Sequence, residues 1–246
     1  MKQTILFDLD DTLIYCNKYF YFVIDQFSDL MSDWFRGYNV TTAEIRDKQT
    51  EIDIAGVHVV GFKSDHFPQS FIDTYRHYSN LVGRRTSPVE EDQLWKLGRS
   101  VYEHDVEPYP HMEETLDDLA SRGHELHLYT GGELLIQERK IKQMQLERYF
   151  GPRIYVRSMK NTEAMENILR EGKFNRPDTW MIGNSIRTDV IPALTTGINA
   201  IHMKADAEWA YNIVGIDVEP KGAFLTLNKL RDIPTSIHKY LQQRGN

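Results

Sequence analysis

Short apolar runs, each followed by polar residues and then a helical pattern, recur through much of this chain. The first run, residues 5–7, is unbroken; it is too short for a helix and suits a strand buried on both faces. The later runs cover residues 126–129, 154–156, 180–182 and 199–202. Helical segments separate these later runs, and such alternation predicts an α/β fold with a parallel sheet of five or more strands and helices on both faces.

Residues 16–108 have a different, mainly helical pattern. Apolar side chains recur at helical spacing from Phe20 to Trp34, and their aromatic density is typical of a helix packed against other helices. The other helical segments are one that begins near Thr41, with Glu44 as capping partner, and those over residues 67–81 and 88–102. Only residues 57–60 alternate in the manner of a strand.

The change of pattern near residue 109 predicts two domains. Residues 1–15 and 109–246 would form the α/β core, and residues 16–108 would be a helical insertion after its first strand. In the tail, the pattern of residues 224–241 predicts two short helices that are separated at Pro234.

Composition and charge narrow the class of protein. Of the 246 residues, 41% are hydrophobic and 26% charged, as in ordinary globular proteins. The net charge of −7 disfavours nucleic-acid binding, and no apolar run approaches the ~20 residues of a membrane span. Cys16 is the only cysteine, which excludes an intrachain disulfide, and the first strand follows the start too closely for a signal peptide. A cytoplasmic location is therefore expected.

Polar side chains follow the predicted strands where each strand ends. Asp8, Asp10 and Asp11 come directly after the first strand, with Thr12 beside them. Burying so much like charge requires a counter-ion, so this cluster predicts a cation site; a capped turn is the simpler alternative. The polar residues after the later strands are Thr130, Lys160, Asn184, Ser185 and Asp189. All of these lie at one edge of a parallel sheet and can meet in space.

This set resembles the four motifs of the haloacid dehalogenase superfamily. The motifs are read in Asp8-x-Asp10-x-Thr12, Thr130, Lys160 and Gly183-Asn184-Ser185-x-x-x-Asp189, in the family's order. The match covers residues 3–14 and 109–205. The resemblance implies a Rossmann-like core, and it identifies residues 16–108 as the superfamily's type-one helical cap, which closes over the site and sets specificity.

The resemblance also assigns a chemical role to each motif. Asp8 would be the nucleophile that forms an aspartyl-phosphate, and Asp10 the acid that protonates the leaving group and then activates water. Thr130, Gly131 and Lys160 would bind the phosphoryl group. The Mg²⁺ ligands would be Asp8, the backbone carbonyl of Asp10, Asn184 and Asp189. Taken alone, Thr130 could be a helix N-cap and Lys160 a solvated surface charge.

Two residues refine the assignment. Dehalogenases lack an acid at the position of Asp10, so its presence favours a phosphatase. The other residue is Asn184, which departs from the family pattern of an acid there, and this predicts altered metal affinity or a larger role for Asp189. The neighbouring Asp11 is expected to be an exposed turn residue. The alternatives are a phosphotransferase or mutase, a 2-haloacid dehalogenase, and a non-catalytic phospholigand-binding protein.

The substrate follows only by analogy with cap-bearing phosphatases. It is expected to be a small phosphorylated metabolite, such as a nucleoside monophosphate or a sugar phosphate. Neither a nucleic acid nor a membrane is an expected partner. The chain is expected to act as a monomer or a homodimer.

Overall fold

A six-stranded parallel sheet forms the centre of the larger of two compact units in this computed structural model, which describes residues 1–244. One unit comprises Met1–Asn17 with Val106–Asn246, and the other comprises Lys18–Asp105. The strands are β1 (Thr4–Phe7), β2 (Glu125–Gly131), β3 (Ile154–Arg157), β4 (Thr179–Gly183), β5 (Asn199–Met203) and β6 (Phe224–Leu227). Their order in the sheet is β3-β2-β1-β4-β5-β6. The predicted α/β class is confirmed.

Within residues 1–244, six α-helices accompany the sheet. They are α5 (Met112–Ser121), α6 (Leu134–Gln143), α7 (Glu147–Phe150), α8 (Thr162–Glu171), α9 (Ile191–Thr196) and α10 (Ile233–Arg244). Ile5 and Phe7 belong to the apolar core that includes α5 and α10, whereas Leu6 belongs to the core that includes α8 and α9. Strand β1 is therefore buried on both faces, as its continuous apolar run predicts.

The tail differs from the prediction of two short helices. Residues 224–227 are strand β6, which pairs in parallel with β5 so that Ala200 lies opposite Phe224. A single α-helix follows it, and Pro234 lies in the first turn of that helix instead of separating two helices. Proline suits this position because the first turn of a helix needs no backbone N–H donor.

The second unit is built from four helices, α1 (Asn17–Trp34), α2 (Thr42–Val60), α3 (His66–Val82) and α4 (Pro88–Ser100). Thr41 and Glu44 form the predicted capping box of α2. The suggestion of a strand over residues 57–60 is wrong, because these residues end α2. Val57 is 5% exposed and Val59 84% exposed, although a strand would place both on one face. No helix within residues 1–244 is both long and apolar enough to cross a membrane.

Helices α3 and α4 approach each other closely at Gly98. A Cβ atom on Gly98 would lie 2.5 Å from the Cα atom of Pro68, a backbone atom that cannot move aside easily. We expect Gly98→Ala to lower the free energy of unfolding by about 1–3 kcal/mol, measured by urea denaturation of the full chain. Gly215→Ala is the matched control, because its Cβ would meet nothing within 4 Å. Equal unfolding midpoints for the two variants would contradict this close packing.

Candidate active site

The register of the sheet brings three polar strand ends together. Phe7 is paired with Leu128 on one side and with Ile182 on the other, so β1 lies between β2 and β4. The backbone N–H of Asp8 still donates to the carbonyl of Ile182, at 2.9 Å, and this fixes Asp8 at the carboxyl edge. Ligands of open α/β sheets bind at this edge.

Lys160 lies between two carboxylates at this edge. Its Nζ donates to Asp8 Oδ1 at 2.6 Å and forms a second ion pair with Asp189. The Nζ also lies 4.9 Å from the ring centroid of Tyr129. Lys160 is only 5% exposed, so it is not the solvated surface charge of the simpler interpretation. Lys160 thus directly contacts residues from two other motifs.

Burial and charge set the protonation of this trio. Burial raises the pKa of Asp8 to about 7, with Lys160 opposing the rise and Asp189 adding to it. Burial would lower the pKa of Lys160, but Asp189 and Asp8 outweigh it and hold that pKa above its usual value. The site therefore keeps a permanent cation beside a carboxylate that is costly to ionise without further positive charge.

Asp10 is held apart from Asp8 by two side chains of α6. Lys140 Nζ donates to Asp10 Oδ1 at 2.7 Å, and Gln137 Nε2 donates to Asp10 Oδ2 at 2.9 Å. Burial acts to raise the pKa of Asp10, but Lys140 and the Gln137 amide lower it below its usual value. Asp10 is therefore a carboxylate here, and each of its side-chain oxygens accepts a hydrogen bond from a protein donor.

Thr130 is joined to Asp10 through Gln137. Gln137 Nε2 also lies 2.7 Å from Thr130 Oγ1 and 2.7 Å from the carbonyl oxygen of Gly131. Thr130 is fully buried, and Glu133 is the N-cap of α6, so Thr130 is not that helix's cap. Gly132 follows with φ 137°, a conformation that favours glycine and turns the chain sharply at the sheet edge.

Thr12 connects the first motif with the fourth. Its Oγ1 donates to Asp8 Oδ2 at 3.0 Å and accepts from the backbone N–H of Asn184 at 3.1 Å. The Asn184 side chain is buried, with its Oδ1 3.4 Å from Thr12 Oγ1. The Thr12 hydroxyl therefore lies close to both the Asp8 carboxylate and the Asn184 amide oxygen.

Asp189 has both carboxylate oxygens on protein partners. Oδ1 forms the ion pair with Lys160, and Oδ2 accepts from the backbone N–H of Ser185 at 3.0 Å. A Cβ at Gly183 would lie 2.2 Å from Asp189 Oδ2, so only glycine leaves room for this arrangement. Asp189 thus contacts the site through Lys160.

Asp11 is not the exposed turn residue that the sequence suggested. It is 5% exposed, and its carboxylate accepts from the backbone N–H groups of Cys16 and Asn17, at 3.0 and 2.9 Å. Burial raises its pKa to about 7, although these hydrogen bonds act against the rise. Its φ of 57° turns the chain sharply enough to aim the carboxylate at the start of α1. Asp11 is therefore a buried structural residue.

Negative charge exceeds positive charge around the site. In the part of the chain that the structure describes, the ammonium groups here are Lys140 and Lys160, and the carboxylates are Asp8, Asp10, Asp11, Asp189 and Glu208. Within residues 1–244 no three acidic, histidine or cysteine side chains are grouped as a metal site, so a cation here would also need other oxygen donors, such as the amide oxygen of Asn184. Hard oxygen donors beside uncompensated negative charge fit Mg²⁺, which keeps several water ligands.

Three side chains at the site were not predicted from the sequence. Gln137 and Lys140 lie three residues apart on the helix that follows Thr130, so both face the same way toward Asp10. Glu208 lies in the loop after β5, where no periodic pattern marks it, and it contacts Asn184. Spacing from Thr130 along α6 could have pointed to the first two, but no signal in the chain indicates Glu208.

The sequence pattern of the haloacid dehalogenase-like hydrolases matches residues 5–203 of this chain. A glyceraldehyde 3-phosphate phosphatase from Methanothermobacter thermautotrophicus is 23% identical over 215 residues, which cover 84% of this chain and 87% of that protein. The pattern match includes Asp8, Thr130, Lys160, Asn184 and Asp189.

Two solved structures are similar to this chain over nearly its whole length. A haloacid dehalogenase-like family hydrolase from Xanthomonas campestris is 25% identical, with a TM-score of 0.79 over 99% of this chain and 94% of its own. A hydrolase of the same kind from Bacillus subtilis, whose crystal holds magnesium, is 16% identical, with a TM-score of 0.61 over 96% of this chain and 98% of its own. The second likeness concerns the fold alone.

Proposed function

This chain belongs to the haloacid dehalogenase-like hydrolase family, and we propose that it is a phosphomonoester hydrolase that acts through an aspartyl-phosphate on Asp8. The observation that carries the proposal is the presence of two differently held carboxylates at one sheet edge. Asp8 contacts the Lys160 cation, and Asp10 is held separately by Lys140 and Gln137. A nucleophile and a separate acid–base residue are what phosphoester hydrolysis requires.

The two carboxylates have separate tasks in the proposed reaction. A carboxylate oxygen of Asp8 attacks phosphorus, and the bond to the leaving oxygen breaks. Asp10 gives that oxygen its proton, so it must be protonated for this step although Lys140 favours its ionised form. Asp10, now a carboxylate, takes a proton from water, whose oxygen attacks phosphorus and breaks the bond to Asp8. Inorganic phosphate leaves, and Asp10 holds the proton for the next cycle. The ionised form that Lys140 stabilises is the form needed as base.

Phosphoryl oxygens would be bound by Lys160, by Thr130 and by backbone N–H groups near Gly131. Lys160 is buried and positively charged, so its attraction for a phosphoryl group is little screened by solvent. Bound Mg²⁺ would offset the repulsion between the phosphate and the carboxylates. Its ligands would be Asp8, the backbone carbonyl of Asp10 and Asn184. Asp189, whose oxygens have protein partners, would assist through Lys160 or a water.

We propose a small phosphorylated metabolite as substrate. The relative named as a glyceraldehyde 3-phosphate phosphatase supports a short-chain sugar phosphate over a nucleoside monophosphate. The helical unit Lys18–Asp105 is the proposed cap that sets this choice. The cytoplasmic location and the monomeric or homodimeric state stay predictions from the sequence.

The direct test is phosphate release by the purified full chain. We expect hydrolysis of p-nitrophenyl phosphate with Mg²⁺, and a loss of about 10²- to 10⁴-fold after chelation with EDTA, because a metal contributes several kcal/mol to charge stabilisation. Added Mg²⁺ should restore the rate. Three-carbon phosphates, sugar phosphates and nucleoside monophosphates are then compared by kcat/KM.

Each other outcome identifies a different function. Transfer of phosphate to an alcohol in preference to water would indicate a phosphotransferase. Metal-independent release of halide from 2-haloacids would indicate a dehalogenase. Binding of phosphate without turnover of any ester would indicate a non-catalytic protein.

A further inference from the structure

Asn184 has its two amide atoms in opposite surroundings. Its Nδ2 donates to both carboxylate oxygens of Glu208, each at 3.1 Å. Its Oδ1 lies on the other side, 3.4 Å from Thr12 Oγ1. Because a carboxylate can only accept hydrogen bonds, a flipped amide would place two oxygens against each other. Glu208 therefore fixes the direction in which the Asn184 oxygen points.

Glu208 is itself held by two further donors. Its Oε1 accepts from Asn212 Nδ2 at 2.6 Å and from the backbone N–H of Trp209 at 3.0 Å. Asn212 in turn accepts from Ser185 Oγ at 2.9 Å, and Ser185 Oγ accepts from the backbone N–H of Thr188 at 3.0 Å. This chain of hydrogen bonds returns to the residue next to Asn184, so the carboxylate is held in one place.

We propose that Glu208 is a positioning residue for the cation site. It aims the Asn184 carbonyl oxygen at the position of the divalent cation, and from behind Asn184 it supplies the negative charge that a neutral amide lacks. The inference rests on the proposed function, because it assigns Asn184 as a metal ligand. In this proposal Asn184 supplies the ligating oxygen and Glu208 the negative charge, so that the pair takes the place of a directly ligating acid.

The test is Mg²⁺ binding, measured by isothermal titration calorimetry on the full chain without substrate. We expect Glu208→Gln to weaken Mg²⁺ binding about 10- to 100-fold, the usual effect of disturbing a partner that orients a metal ligand, because glutamine lacks the negative charge and turns one of the two acceptors of the Asn184 amide into a donor. The control is Asp206→Asn, which makes the same charge change at an exposed site in the same loop and should bind like the wild type. Thermal unfolding in EDTA checks that the variants are folded.

A second substitution, at Asn184 itself, separates orientation from charge alone. In Asn184→Asp, a second carboxylate faces Glu208, so adding Glu208→Gln should now strengthen Mg²⁺ binding, because the glutamine amide can donate to the carboxylate introduced at position 184. The same Glu208→Gln change thus has opposite signs in the two backgrounds, with a coupling of at least about tenfold. Effects that simply multiply would overturn the proposed pairing.

The possible failures are distinguishable. If the wild type binds Mg²⁺ and Glu208→Gln binds it equally well, the role of Glu208 is wrong and the proposed function is untouched. If Asp206→Asn weakens binding as much as Glu208→Gln, only the net charge of the loop matters, which overturns the positioning role. If the wild type binds no Mg²⁺, the metal site itself is refuted, together with the role of Glu208.

Discussion

Asp8→Asn should abolish phosphatase activity, with a loss on the order of 10⁶-fold in kcat, because an amide oxygen cannot replace a covalent nucleophile. Peptide mass mapping of acid-quenched reactions should find the phosphoryl group on the peptide that contains Asp8 in the wild type and on no peptide in the variant. Equal rates for the two proteins would remove Asp8 from the reaction.

The same substitution should not destabilise the fold. Burial raises the pKa of Asp8 to about 7, so the folded chain holds a proton there that the unfolded chain releases near pH 4. The free energy of unfolding of the metal-free wild type should therefore fall as pH rises from about 4 to 7, and Asp8→Asn should lose the contribution of Asp8 to this slope while that of Asp11 remains. Urea denaturation in EDTA at several pH values measures the difference.

The matched control is Asp11→Asn, which makes the same change three residues further on. An asparagine oxygen can still accept from the backbone N–H of Cys16 or Asn17, so the start of α1 keeps a capping partner. We expect activity within a few-fold of wild type. A loss comparable to that of Asp8→Asn would mean that Asp11 takes part in the chemistry.

Asp10→Asn should lower kcat by about 10²- to 10⁴-fold for alkyl phosphates, the usual contribution of a general acid. Its signature is the dependence on the leaving group. With p-nitrophenyl phosphate the first step needs no proton donor, so a burst of p-nitrophenol should precede a slow steady state as the aspartyl-phosphate accumulates. Rapid-mixing absorbance measurements detect the burst.

The wild type assayed in parallel is the reference for this burst, because its second step has a base. An equal loss of kcat for alkyl and aryl phosphates, without a burst, would show that Asp10 only holds Lys140 or Gln137 in place and does not transfer a proton. Aspartyl-phosphate trapped from the variant but not from the wild type would support the assignment of Asp10 as the base in the second step.

Much of the fold and part of the site can be read from local pattern. The apolar runs of β1 and β4 are continuous because these strands are buried on both faces, and the capping pair of α2 is encoded within four residues. Strand β6 escaped prediction because a four-residue edge strand is defined by its pairing with β5 more than by its own residues. Val57 and Val59 wrongly suggested a strand for a similar reason. Two apolar residues at alternate positions occur both in strands and at the ends of helices.

The chain's order of strands and the residue types at their ends are properties of the sequence, and parallel strands must bring such ends to one edge. This is why Asp8, Lys160 and Asp189 could be foreseen. The contacts that these residues make could not be predicted in the same way. Lys140 and Asp10 are 130 residues apart, and no local pattern in the sequence encodes their contact. The burial of Asp11 and the pairing of Glu208 with Asn184 likewise exist only after folding, because hydrogen bonds and desolvation depend on which side chains the packed chain brings within a few ångströms.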